Sequence, residues 1–198
     1  MKIYSSFRIE RMIVFGFLAV ILAGTFALWF GNMPYRRVPL LDCLFTATSA
    51  VCVTGLSTLD TGTDFSQASQ IVILVLIQLG GLGVMTATTA LLYAFRRRIG
   101  IRQRMLFSGG LGLDSPSGAV RLAKKVVLIT VFIEAMGAIP MFFAFRSSFP
   151  GPRSLYLAVF HSVSAFCNAG FSPFSDSLQR FSGTVTIPLT VMTLILLG

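Results

Sequence analysis

The stretch FTATSAVCVTGLSTL, Phe45–Leu59, recurs 115 residues later as FHSVSAFCNAGFSPF, Phe160–Phe174. Aligned without a gap, the copies share Phe45/Phe160, Ser49/Ser164, Ala50/Ala165, Cys52/Cys167, Gly55/Gly170 and Ser57/Ser172, six identities in 15 positions. Such self-similarity means one supersecondary unit used twice. Each copy lies in uncharged sequence rich in small and hydroxyl side chains, between Asp42 and Asp60 in the first case and between Arg153 and Asp176 in the second. Around the copies lie longer uncharged runs: Met12–Phe30, Ala68–Phe95, Val126–Phe145 with the single charge Glu134, and Phe181–Gly198. The 19 residues of Met12–Phe30 reach roughly 28 Å as a helix, enough to cross a bilayer. A cleaved signal peptide has a shorter apolar core with soluble sequence behind it, so this run reads as a retained helix.

Composition agrees. Of 198 residues 55% are hydrophobic and 12% charged, too few polar groups to cover a water-exposed surface. The lipid bilayer is therefore the main solvent, and a soluble enzyme is excluded. Sixteen Lys and Arg against seven Asp and Glu give +9, but these cations flank apolar runs and form no basic stripe, which argues against nucleic acid as a partner. Cys43, Cys52 and Cys167 have neither a disulfide-framework nor a metal-ligand spacing.

Charge also sets topology. If Cys43–Leu59 crossed the membrane, three crossings would put the basic N-terminus and the cluster Arg96, Arg97, Arg98, Arg102 and Arg104 on opposite sides, against the positive-inside rule. With the repeated segments re-entrant from the outer face, eleven Lys and Arg lie inside and five outside. The expected fold is thus an all-α polytopic membrane protein with four crossings and a cytoplasmic N-terminus, built from two helix, re-entrant pore loop, helix units. Residues 1–95 form the first, 96–125 a cytoplasmic basic linker with a short surface segment at Ser117–Lys125, and 126–198 the second.

Non-helical backbone at membrane depth survives only where it is buried in protein or lines a water-filled path. Cys52, Val53, Thr54 and Gly55, with Cys167, Asn168, Ala169 and Gly170, follow the two apolar half-helices. An extended strand there can aim successive carbonyl oxygens at one axis, and such oxygens replace the hydration shell of a monovalent cation. The half-helix C-terminus adds partial negative charge. The alternative is a pair of buried turns that use glycine for positive φ.

FTATSAVCVTGL, DTGTDFS, QLGGLGVMT and SAFCNAGFSPFSDSL, in this order, resemble the first two units of the Trk/Ktr/HKT superfamily of potassium transporters, with more similarity to the Ktr branch because the first crossing begins near residue 12. The resemblance implies four such units around a pseudo-fourfold pore, here half of it, with Gly55 and Gly170 as filter glycines. It implies potassium as the ion at the filter, favoured by Gly55 because a serine there accompanies sodium transport in plant relatives; sodium dependence stays open. It also implies a homodimer in the cell (inner) membrane and a cytosolic nucleotide-binding ring docked on the basic linker. No covalent cofactor is expected. TLILLG at the end is similar to the start of a second LGG motif, so the sequence reads as a partial chain that stops inside a helix.

Other residues admit two readings. Glu134 is an intramembrane acid, for ion coupling or for packing. Gly80, Gly81 and Gly83 are gating or hinge candidates, or small residues that let helices approach. Cys52 and Cys167 read as packing residues, His161 as packing or capping its half-helix, Trp29 and Tyr35 as interface anchors. Two other functions remain: an intramembrane hydrolase using His161 with Ser162 or Ser164, which lacks a motif, and a non-conducting assembly module.

Overall fold

The computed structural model describes the backbone of residues 3–96 and 116–198 and the side chains of residues 11, 14–83 and 124–198. The central part of the expected linker, 97–115, lies outside the described residues. Among the described residues six α-helices follow one another: α1 (Ile3–Asn32), α2 (Leu40–Val51), α3 (Gln67–Arg96), α4 (Pro116–Arg146), α5 (Gly151–Phe166) and α6 (Thr186–Leu197), with a 3-10 turn at Gln179–Phe181. Among the described residues there is no β-strand.

Long uncharged runs become long helices, and the repeated stretches become short ones. Val14–Asn32 in α1 and Lys124–Arg146 in α4 are long and apolar enough to cross a membrane. On α1, Phe15, Leu18, Leu22, Phe26 and Phe30 are exposed, and on α4 Leu128, Phe132, Met136, Ile139 and Phe143 are. Spaced three or four apart, these make apolar stripes that no described residue covers. Helices α2 and α5 have 12 and 16 residues, roughly 18 and 24 Å. Each follows a proline, Pro39 or Pro150, at the N-cap. Proline at either place cannot continue a helix backwards, which fixes where the new one begins.

Two differences from the sequence reading concern ends. Helix α6 starts at Thr186 and not at Phe181, since the 3-10 turn and Gly183 occupy the first part of the uncharged run. Helix α4 starts at Pro116, so the expected surface segment Ser117–Lys125 is the first part of a continuous helix; Pro at N1 suits a helix start, where the missing N–H would be unpaired.

One compact unit contains Met1–Gly81 and Glu134–Gly198, and a second contains Leu82–Ile133. The first holds both repeats. Its interior is built from Leu28 on α1, Cys43, Ala47 and Ala50 on α2, Ile73 and Ile77 on α3, Met141 and Phe145 on α4, Leu157 and Phe160 on α5, and Ile187 and Leu194 on α6. α1 packs on α2, and α5 on α6. Buried polar side chains are also frequent, Asn32, Thr46, Ser69, Glu134, Ser154, His161, Ser162 and Ser164 among them, and several of these surround the repeated loops.

Candidate functional site: the paired loops

The sequence repeat is a conformational repeat. Helix α2 ends on Cys52 and α5 on Cys167, both still helical, at φ −83°, ψ −1° and φ −73°, ψ −2°. The next residues, Val53 and Asn168, turn left-handed at φ 56° and 58°. Their amides donate to Ala50 O (3.3 Å) and Ala165 O (3.0 Å), and those of Thr54 and Ala169 reach back to Ser49 O (3.0 Å) and Ser164 O (2.7 Å). This pair of bonds is the Schellman ending of a helix, which satisfies two otherwise orphaned carbonyls. Gly55 and Gly170 are left-handed again, both at φ 73°. The expected uniform extended strand is therefore corrected: two of the three residues after each cap are left-handed, because the helix is closed by a turn before the chain leaves. Asn tolerates that conformation, whereas a β-branched Val does so only against strain.

The two loops meet. A Cβ placed on Gly55 would lie 2.6 Å from Ala169 O and 3.5 Å from Gly170 Cα, and one on Gly170 would lie 3.6 Å from Gly55 Cα. Beyond them, a Cβ on Gly62 would overlap Pro173 O. The sequence-derived set from Cys52 to Gly55 and from Cys167 to Gly170 is thus brought to one place, with Thr54, Asn168 and Gly170 exposed there. Cys167 is buried while Cys52 is exposed among the described residues. Cys167 has α3 against it, through Gly81, where a Cβ would lie 2.6 Å from Cys167 Sγ; among the described residues no helix covers Cys52 in the same way.

Gly80 faces the other loop. A Cβ on it would collide with the Val51 backbone. At the end of α6, a Cβ on Gly198 would collide with the Phe166 backbone, and Val51 and Phe166 are equivalent in the repeat. Gly198 thus stands to its half-helix as Gly80 does to the first, which places the TLILLG and LGG motifs in the same packing position. Close approach accounts for Gly80 and Gly81. Gly83 continues α3 as a half-buried residue.

Glu134 is buried at 7% exposure. Its carbonyl accepts the Ser162 hydroxyl at 2.6 Å, and its carboxyl lies 4.0 Å from Cys167 Sγ, directly behind the second loop. Gln78 Nε2, buried without a hydrogen-bond partner, approaches the same carboxyl from α3. Ser164 donates to Phe171 O at 2.7 Å. Both serines of the hydrolase alternative are therefore bonded to carbonyls and neither to His161, whose Nδ1 meets Leu157 O at 2.8 Å. That reading has no geometric basis. A cavity of about 220 Å³ opens beside the second loop, lined by His161, Asn168, Gly170, Ser172 and, from α6, Val191 and Ile195.

Outside the helices, a hydrogen-bonded collar that sequence reasoning missed holds the loops. Asn32, fully buried, donates through Nδ2 to Asp64 O (2.8 Å) and Arg36 O (3.0 Å) and accepts through Oδ1 from Ser66 N (2.7 Å) and Ser69 Oγ (3.2 Å). Arg36 pairs with Asp64, whose Oδ2 accepts from Asp60 N. Asp60 Oδ1 accepts from Gly62 N at 2.7 Å and Thr63 N at 3.2 Å. Partial burial pushes the Asp60 carboxyl up, but hydrogen bonds from Ser175, Gly62 and Thr63 outweigh it and hold the group below the usual carboxylate range. The collar also meets the second loop where Gly62 approaches Pro173 O. Asp176 is held low by the bidentate Arg180. The Asp-x-Gly signature of DTGTDFS is a legible turn signal; Asn32, at the end of an apolar run, carried none.

The family model TrkH, a cation transport protein, matches residues 7–198. Ktr system potassium uptake protein B of Vibrio alginolyticus is 37% identical over 188 residues, covering 95% of this chain and 41% of the relative. The protein of the same name in Bacillus subtilis is 34% identical over 97% of this chain and 43% of its own length. Potassium/sodium uptake protein NtpJ of Enterococcus hirae is 35% identical over 95% and 42%. The chain spans about two fifths of the length of these curated relatives.

Proposed function

Because the chain belongs to the TrkH family of cation transport proteins, a family of transporters and not of enzymes, we propose that it supplies two of the units of a potassium-translocating pore, with the ion passing between the loops at Gly55 and Gly170. The observation that carries this reading is the contact of those two glycines at identical φ. A left-handed residue on either side of Thr54 and of Ala169 turns successive peptide planes, and no hydrogen bond among the described residues is accepted by the carbonyls of Val53–Gly55 or Asn168–Gly170. Oxygens so placed can take over the hydration shell of potassium. The C-termini of α2 and α5, directly before them, add partial negative charge.

The finer features belong to the same proposal. The chain is multi-pass in the cell membrane with a cytoplasmic N-terminus, both loops open outside, and the remaining length of the relatives supplies the other two units. A homodimer gated by a cytosolic nucleotide-binding ring on the 96–125 segment is the assembly the reading favours. Sodium accompanies potassium in the printed name of one relative, which makes sodium dependence a property to measure. Glu134 is read as a packing residue, its carboxyl 4.0 Å from Cys167 Sγ behind the second loop.

The test is potassium uptake by the complete protein in a bacterium that lacks its own potassium transporters, with and without sodium. Growth restored at low potassium supports the reading, and uptake of a different solute in its place contradicts it.

A further inference from the structure

The two loops are held from behind by different chemistry. On α5, His161 is 3% exposed. A backbone carbonyl can only accept, so the contact of Nδ1 with Leu157 O at 2.8 Å places the proton on Nδ1. Nε2 is left with a lone pair, and it faces Ser172 Oγ at 3.0 Å. The serine hydroxyl therefore donates to the ring, while its oxygen accepts from Phe174 N at 3.1 Å. Ser172 is two residues beyond Gly170, on the non-helical segment that leaves the loop.

The ring itself is clamped. Phe174 stacks on it with centroids 5.3 Å apart and planes at 26°, and Phe145 lies at 5.5 Å. The Arg180 guanidinium covers the Phe174 ring at 4.8 Å. The cavity of about 220 Å³, lined by His161 and Ser164 of α5 and by Val191 and Ile195 of α6, opens beside this segment. Two hydrogen bonds tie the segment to α5, Ser164 to Phe171 O and Ser172 to His161.

The first copy lacks this device. Thr46 stands where His161 does in the repeat, and its buried Oγ1 has no hydrogen-bond partner. Ser57, the counterpart of Ser172, turns to Leu59 O, and the outgoing segment is tied by Thr58 to Asp42 at 2.8 Å.

We propose that His161 is a positioning residue for ion selection: through Ser172 it fixes the segment behind Gly170, and so the carbonyls of Asn168, Ala169 and Gly170. This rests on the filter reading above. Discrimination between monovalent cations depends on how the carbonyl oxygens are held, so loosening the segment alters selectivity before it abolishes transport.

The experiment is potassium and sodium uptake by the complete protein in proteoliposomes, with the amount of protein quantified in each preparation. Ser172→Ala is expected to lower the potassium-to-sodium uptake ratio about tenfold, and His161→Phe, which keeps a ring between Phe145 and Phe174, to do the same. The double variant should fall no further, since both remove one bond. Ser172→Thr, which retains the hydroxyl, and Thr46→Val, which removes a group without a partner, should keep the ratio. An unchanged ratio in Ser172→Ala overturns the inference, and that variant decides alone if His161→Phe does not accumulate. A full additional loss in the double variant overturns it too. If the unaltered protein shows no preference for potassium, the filter reading fails, and this inference with it.

Discussion

Gly81 on α3 lies against the Cys167 side chain at the end of α5, while its neighbour Gly80 lies against the Val51 backbone at the end of α2. One helix thereby braces both loops through consecutive residues that have no side chain.

The two contacts predict different responses to the same substitution. Gly81→Ala meets a thiol, so Cys167→Ala should restore most of the stability it loses. Gly80→Ala meets backbone and cannot be relieved that way. Overpacking of this kind costs about 1–3 kcal/mol. Thermal unfolding of the purified complete protein, run as a double-mutant cycle, checks it; rescue of Gly80→Ala by Cys167→Ala would contradict the geometry.

Val53 holds φ 56° where its repeat counterpart is Asn168 at φ 58°. A left-handed non-glycine residue carries about 1–2 kcal/mol of strain, and Asn carries less. Val53→Asn is therefore expected to raise the thermal midpoint, with the change read in the same unfolding assay. A lower midpoint would mean that the Val53 side chain contributes more by packing than its backbone costs.

Much of this arrangement was legible in the sequence, and what was not has a physical reason. The repeat, its position between long apolar helices and the pairing of Gly55 with Gly170 follow from six identities and the charge pattern. The Schellman endings were hidden because Val is a poor left-handed residue and signals a strand. That Cys52 and Cys167 differ in burial was hidden too, because equivalence within a repeat says nothing about which of the two side chains meets Gly81 on α3. Asn32 gave no sign because its four partners come from Arg36, Asp64, Ser66 and Ser69, and the last three are distant in sequence.

Asn32 makes a strong prediction for that reason. Asn32→Leu buries an apolar group and leaves donors and acceptors of the collar unpaired, at about 1–3 kcal/mol for each group that water cannot reach. Protease sensitivity of the segment 60–66 should rise in parallel with loss of thermal stability. Wild-type resistance at that segment would count against the collar.

Asp60 predicts a pH response. Its folded value lies below the ordinary carboxylate value, so its contribution to stability is present above about pH 4 and is lost as pH falls through the folded value. Asp60→Asn removes that titration. The thermal midpoint of the variant, followed from pH 7 to pH 3, should decline less steeply than that of the unaltered protein, and equal slopes would contradict the assignment.

The central claim is that the paired loops select potassium through backbone carbonyls, and the most direct measurement compares Gly55→Ser with Asn168→Ala in the complete protein by potassium uptake with and without sodium. Gly55→Ser places a Cβ 2.6 Å from Ala169 O at φ 73°, so the preference for potassium over sodium should fall. Asn168→Ala keeps the backbone oxygen and should retain selectivity, with a stability cost for an Ala at φ 58°. Unchanged selectivity in Gly55→Ser together with uptake lost in a stably folded Asn168→Ala would contradict the backbone-carbonyl filter.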